Sequence, residues 1–156
     1  VSCLGISSSG CIGQDTEPPP SFDYEVEIPP CPETPDSYSV ESVGRFVTQF
    51  EKAYLTRLTL QQQREKVTSI SVDTGEPAVT KREDGWLARF DMTGPYIEYQ
   101  PPPGSNETPH ADPGSTMVHY LVTEQNLITD QQVFRAISLD PVDPREEGTV
   151  VQCPPQ

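Results

Sequence analysis

The sequence predicts an α+β fold, in which one long helix packs on a curled antiparallel sheet behind an extended, proline-rich N-terminal arm. Three observations carry that expectation. A single 3.6-period apolar stripe occupies residues 36–66, period-2 alternation recurs in short runs from 67 to 151, and seven prolines crowd between Pro18 and Pro35. The 156 residues suit one domain and a tail. The division falls at 36/37, with residues 1–36 as the arm and 37–156 as the domain.

The arm has two parts. Gly5 to Gly10 is rich in Gly and Ser and reads as flexible. Further on, Phe22, Tyr24, Val26 and Ile28 alternate with Asp23, Glu25 and Glu27, the pattern of one strand. Prolines on both sides confine such a strand to a sheet edge. These four residues are the expected assembly element, because an extended segment with one apolar face suits addition to an exposed edge. The edge can belong to the same chain or to a neighbour, and the pattern does not separate the two. The plain alternative is a spacer that lifts the domain off a surface.

The helix is expected over 36–66. Val43, Val47, Phe50, Tyr54 and Leu58 form its stripe, widened by Phe46, Ala53 and Leu55. Ser37 or Ser39 can cap it. Glu41 and Glu51 in its first half and Arg57, Arg64 and Lys66 in its second complement the macrodipole.

Strands follow. Val67–Asp73 alternates, Pro77–Lys81 is short, and Asp84-Gly85 marks a hairpin turn. Trp86–Met92 places Trp86, Ala88, Phe90 and Met92 on one face and Leu87, Arg89 and Asp91 on the other. Tyr96–Gln100 reads as a separate strand after Gly94-Pro95. A loop covers 101–114, strands follow at 116–123 and 127–137, and a last one surrounds Thr149–Val151.

Composition narrows the function classes. Ten basic and 24 acidic residues give a net charge of −14, which opposes nucleic-acid binding, a process that needs Lys and Arg at phosphates. No apolar run approaches the ~20 residues of a membrane-spanning helix. Only three of the ten cations are Lys. Sparse Lys among dense carboxylates resembles the proteins of extreme halophiles, whose acidic surfaces stay hydrated when salt screens charge; an ordinary acidic secreted protein is the alternative.

The four cysteines, Cys3, Cys11, Cys31 and Cys153, include no CxxC spacing, so disulfides are expected and zinc is not. Three connectivities exist; the favoured one joins Cys3 to Cys11 and Cys31 to Cys153. Val1 in place of Met points to a removed leader and hence an extracellular or cell-surface setting. Val1-Ser2-Cys3-Leu4-Gly5 also resembles the end of a lipobox, which implies a lipid anchor on Cys3 as a competing expectation. The sequon Asn106-Glu107-Thr108 lies in the 101–114 loop and marks Asn106 as a glycosylation candidate.

The order of one long helix and a curled meander is similar to the cystatin-like and NTF2-like folds. Phe46-Val47-Thr48-Gln49-Phe50-Glu51-Lys52-Ala53-Tyr54 resembles the helix of a group of haloarchaeal exported proteins, as do Val67-Thr68, Gly85-Trp86, His110-Ala111-Asp112 and Tyr120. The resemblance covers roughly residues 40–137 and carries no activity with it. An NTF2-like fold implies a cone between helix and sheet, walled here by Trp86, Phe90 and Tyr96 with His119 as a polar group and Asp91 as a candidate base. The plainer reading makes His119 a core or sheet-face histidine hydrogen-bonded for structure, and Asp91, on the face of Arg89, a residue that pairs across strands or faces water. Asp140, Asp143, Glu146 and Glu147 can offer carboxylates to calcium, but lack an EF-hand's glycine and spacing. The leading expectation is a non-enzymatic structural or interaction protein without cofactor or metal. Its partners would be copies of itself, in a filament or sheath, or other cell-surface proteins. The alternatives are a monomeric NTF2-like ligand-binding module or enzyme, and a lipid-anchored accessory subunit of a membrane complex.

Overall fold

The computed structural model describes residues 26–63, 65–125 and 130–154. It is an α+β fold: a 23-residue helix, α1 (Val40–Gln62), lies on one face of an open antiparallel sheet. The strands are β1 (Val67–Asp73), β2 (Ala78–Arg82), β3 (Gly85–Tyr99), β4 (His110–Ala111), β5 (Thr116–Val122), β6 (Val133–Ile137) and β7 (Thr149–Val150). A one-turn helix, α2 (Pro144–Glu147), precedes β7. No helix among the described residues is long and apolar enough to cross a membrane.

Ser39 caps α1, and its hydroxyl and that of Ser42 exchange bonds with each other's backbone N–H groups at 3.1 and 2.8 Å. This capping box satisfies two of the donors a helix start leaves open, so the helix begins four residues later than the periodicity predicts. Val43, Phe46, Val47, Phe50 and Ala53 bury its core face as expected. Tyr54, Leu55 and Leu58 are only half-buried, while Glu51, Thr56, Arg57 and Thr59 are buried. Glu51 and Arg57 are therefore not solvated partners of the macrodipole; each has a buried role.

The largest departure from expectation is β3. It runs unbroken through Gly94-Pro95, pairing along its first half with β2 and β5 and along its second with β1 and β4. Pro95 survives in a central strand because it lies between the end of the β5 ladder at Thr93 and the start of the β4 ladder at Ile97. There a missing N–H leaves no ladder bond unmade on that side. Gly94 backs directly onto the Gly114 carbonyl, where any Cβ would collide. The 101–114 segment accordingly returns to the sheet as β4 rather than remaining a loop throughout.

Between Phe90, opposite Val118, and Thr93, opposite Thr116, β3 holds one extra residue. This β-bulge reverses the alternation. Met92, expected on the core face with Trp86, Ala88 and Phe90, is exposed, and Thr93 is buried in its place.

β1 and β2 lie end to end along one side of β3, and the order from there is β3, β5, β6, β7. The other side of the sheet carries the root of the arm and residues 151–154. Residues 29–36 pass between α1 and the strand β7, and a disulfide joins Cys31 to Cys153. The part of the arm that the structure describes thus travels with the domain. Val26–Ile28 forms no strand, contrary to the period-2 expectation. Phe22, Tyr24, Cys3 and Cys11 lie outside the described residues.

Candidate functional site

The expected cone residues do not converge. Trp86 and Phe90 face α1 within the closed core, and Trp86 spends its indole N–H on Glu124 Oε1 at 2.8 Å. His119 sits opposite Arg89 and Ala136, on the other face of the sheet. It is buried there, with Nε2 3.2 Å from the Ser138 carbonyl, which is the structural role. Tyr96 is partly exposed and stacks on His110 at 5.6 Å. Asp91 is exposed and paired with Arg89 at 3.0 Å.

Of the acidic residues between 140 and 147, Asp143 is committed to structure, while Asp140, Glu146 and Glu147 are exposed. Asp143 caps α2 through the Arg145 N–H at 2.9 Å and binds Arg82 at 3.0 Å. The Arg82 hydrogen bond, then that from the Arg145 backbone, hold its carboxyl below its ordinary pKa. Among the described residues no group of three or more His, Cys, Asp or Glu is disposed to hold a metal ion. Asn106 is exposed in the 101–109 loop, accessible to a glycan.

Two arrangements dominate the interior; the first was not expected from the sequence, and of the second only the Cys31–Cys153 pairing was. The first is a closed polar network under α1. Glu51, on the helix, receives both arms of the Arg135 guanidinium, at 2.8 Å on Oε1 and 3.0 Å on Oε2. Thr93, turned inward by the bulge, donates to Oε1 at 3.2 Å, and Tyr120 donates to Oε2. The Arg135 guanidinium also lies 4.9 Å from the Tyr54 ring. A fork-on-carboxylate pair with two further hydroxyl donors satisfies the groups a buried charge leaves in need.

Burial lowers the pKa of Arg135, and the hydrogen bond and charge of Glu51 more than reverse this, raising it above the ordinary value. Burial, followed by the charge of Glu51, pushes the Tyr120 hydroxyl well above 10. The unfolded chain therefore loses the Tyr120 proton before the folded one does. The stability tied to it is complete below about pH 10 and declines as pH rises from there toward the folded pKa. Alkaline unfolding followed by circular dichroism should show this, and Tyr120→Phe should flatten the slope above pH ~10. An unchanged slope would mean that this hydroxyl is not the titrating group.

All four groups are buried. The network holds the helix on the sheet.

The second arrangement fixes the root of the arm. Arg57, buried on the C-terminal half of α1, donates to the Pro29 carbonyl at 3.1 Å and to that of Pro154. One cation thus holds the incoming arm and the outgoing chain on the same helix. The Cys31–Cys153 bond, with a Cα separation of 5.9 Å, makes the same junction covalent. On either side of it, Thr34 meets Gln131 at 3.3 Å, and Tyr38 accepts from Gln125 and Gln131 at 3.2 and 3.1 Å. Only the cysteines of this junction were legible as a pair; the signal for Arg57 was a cation within a buried helical stripe.

No family model, no curated protein and no solved structure matches the chain. The α+β fold and the clamped arm root therefore define the class of molecule directly: a helix-on-sheet domain whose N-terminal segment is fixed to it at one point.

Proposed function

We propose that the protein is an extracellular structural or interaction module of halophile type. Its N-terminal arm joins the domain to a neighbouring copy or to another cell-surface protein. In this reading the fold is a cystatin-like or NTF2-like frame that has lost, or never had, an open cone. The supporting observation is the clamp: a disulfide and a buried arginine anchor the arm's root. A passive spacer needs no such anchor, whereas an arm that transmits binding does. The acidic surface, the disulfide and the exposed sequon at Asn106 suit the same setting.

Light scattering after size exclusion in molar salt tests this reading. The intact chain is compared with one that begins at Val26, which keeps Pro29, Cys31 and every element described above. The intact chain should elute as large or open-ended assemblies and the shortened one as a monomer with an unchanged circular-dichroism spectrum. Two identical monomers would overturn the assembly role.

A further inference from the structure

The two sides of the sheet are finished differently. On the β7 side, Pro32 and Thr34 of the arm's root and residues 151–153 border a cavity beside β7, whose Thr149 and Val150 are exposed. On the other side nothing in the chain's described residues pairs with β2, whose Ala78, Thr80 and Lys81 are exposed. An unpaired edge strand is a template for another strand. Beside this edge a groove of about 740 Å³ opens between β2 and the first half of α1, with an apolar floor of Val40, Gly44, Pro77 and Val79 and a polar rim that includes Glu41, Arg45, Gln49 and Glu76. Gly44 contributes no side chain to it, and Val40 is 58% exposed.

We propose that this edge and groove receive the Phe22–Val26 stretch of a second copy's arm. The proposal deepens the assembly reading above and rests on it. A strand added beside β2 turns every second side chain toward the face that carries Val79 and the groove. Phe22, Tyr24 and Val26 have that spacing and are apolar. Asp23 and Glu25 then fall on the opposite face, with the exposed Ala78 and Thr80. Backbone bonds to β2 supply the pairing and the groove supplies the register.

The occupant comes from another copy because the chain's own arm, where it is described, is anchored beside the C-terminal segment and does not pair with β2. Ile28 is bonded to Pro29, which Arg57 holds beside the C-terminal segment. β2 and β7 stand four strand positions apart in the order β2, β3, β5, β6, β7, about 19 Å at the usual spacing. Val26–Ile28, the part of the arm just before this anchor, pairs with no strand of its own sheet and leaves its own β2 edge unfilled. An arm from one side of one copy entering the opposite side of the next is a head-to-tail contact, which propagates unless the rotation closes it.

Photocrosslinking of the full chain in molar salt tests this. Phe22 is replaced by benzoylphenylalanine, unlabelled and nitrogen-15-labelled chains are mixed, and crosslinked peptides are identified by mass spectrometry. The expected products join the arm of one isotope to residues 40–48 or 77–82 of the other. Val40→Glu, an exposed change at a helix start where a carboxylate is welcome, and Val79→Glu should each reduce these products on the order of tenfold by placing a charge in the apolar groove. Inter-copy products on another surface, or undiminished products in both variants, would overturn the inference while leaving assembly standing. Products confined to one chain, with a monomer by light scattering, would overturn the assembly reading as well.

Discussion

Replacing Glu51 by Leu should destabilise the domain by about 3–5 kcal/mol, because it leaves the Arg135 guanidinium buried without its counter-charge. For a chain of this size that is a fall in Tm of roughly 10–20 °C. The helix is held to the sheet at this point by four donor contacts on a single carboxylate, so the loss is felt between the two layers of the fold. Adding Arg135→Met to the same chain should recover about half of the loss or more, since a buried pair replaced as a unit leaves no bare charge. Recovery remains incomplete while the Tyr120 and Thr93 hydroxyls stay unpartnered. Urea unfolding of the two single variants and the double variant measures all three quantities. The single-variant loss should also be nearly the same at low and at molar salt, because the pair is buried at 8% and 0% side-chain exposure and escapes screening. A loss below ~1 kcal/mol would be that of a solvent-exposed pair and would contradict the closed network.

The second large effect is expected from the disulfide. Cys31 and Cys153 are 122 residues apart, and a closed loop of that order restricts the unfolded chain by about 4–5 kcal/mol in the chain-entropy account. Cys153→Ser, compared with the parent protein under oxidising conditions, should lower the unfolding free energy by that amount. Adding reductant to the parent should reproduce the same midpoint, which separates loss of the bond from the substitution itself. Cys31→Ser should match Cys153→Ser, and the double variant should add nothing, since all three remove one crosslink. A variant that unfolds with the parent would mean that the crosslink constrains little.

What could be read from the sequence was whatever rests on local periodicity or turn chemistry. The apolar stripe of α1, the alternation of Val67–Asp73 and the Asp84-Gly85 turn all appear where the pattern puts them. Gly85 shows why the turn signal is strong: its φ is 148°, and a side chain there would strike the Val122 carbonyl. The single strand β3 was not legible, because Gly94-Pro95 is a breaker by local rules and is tolerated only through its neighbours' ladders. The reversal at Met92 was hidden for the same reason, since a bulge is a property of two strands together.

Glu51 and Arg135 misled for a different reason. Read alone, a helical Glu is a solvated residue and a strand Arg an edge residue. Yet each occupies an apolar position of its own element, Glu51 between Phe50 and Tyr54 and Arg135 two residues after buried Val133. Two opposite charges on the apolar faces of facing elements are a signal for a buried pair. The arm residues Phe22, Tyr24, Val26 and Ile28 show the converse. Their strand pattern is clear, and at Val26–Ile28 their own chain does not use it.

The clamp at the arm's root also determines how the molecule would bear a pull. Tension entering through the arm reaches Cys31 and divides there. One branch continues through residues 32–39 to the capped start of α1; the other crosses the disulfide to Cys153 and enters the sheet beside β7, where the Val151 N–H meets the Val133 carbonyl at 2.8 Å. The load is thus shared by helix and sheet in parallel, and neither can be peeled away alone. Reduction of the bond removes the covalent branch into the sheet and leaves the load on the first branch and on the Arg57 hydrogen bond to Pro29, both of which end on the helix.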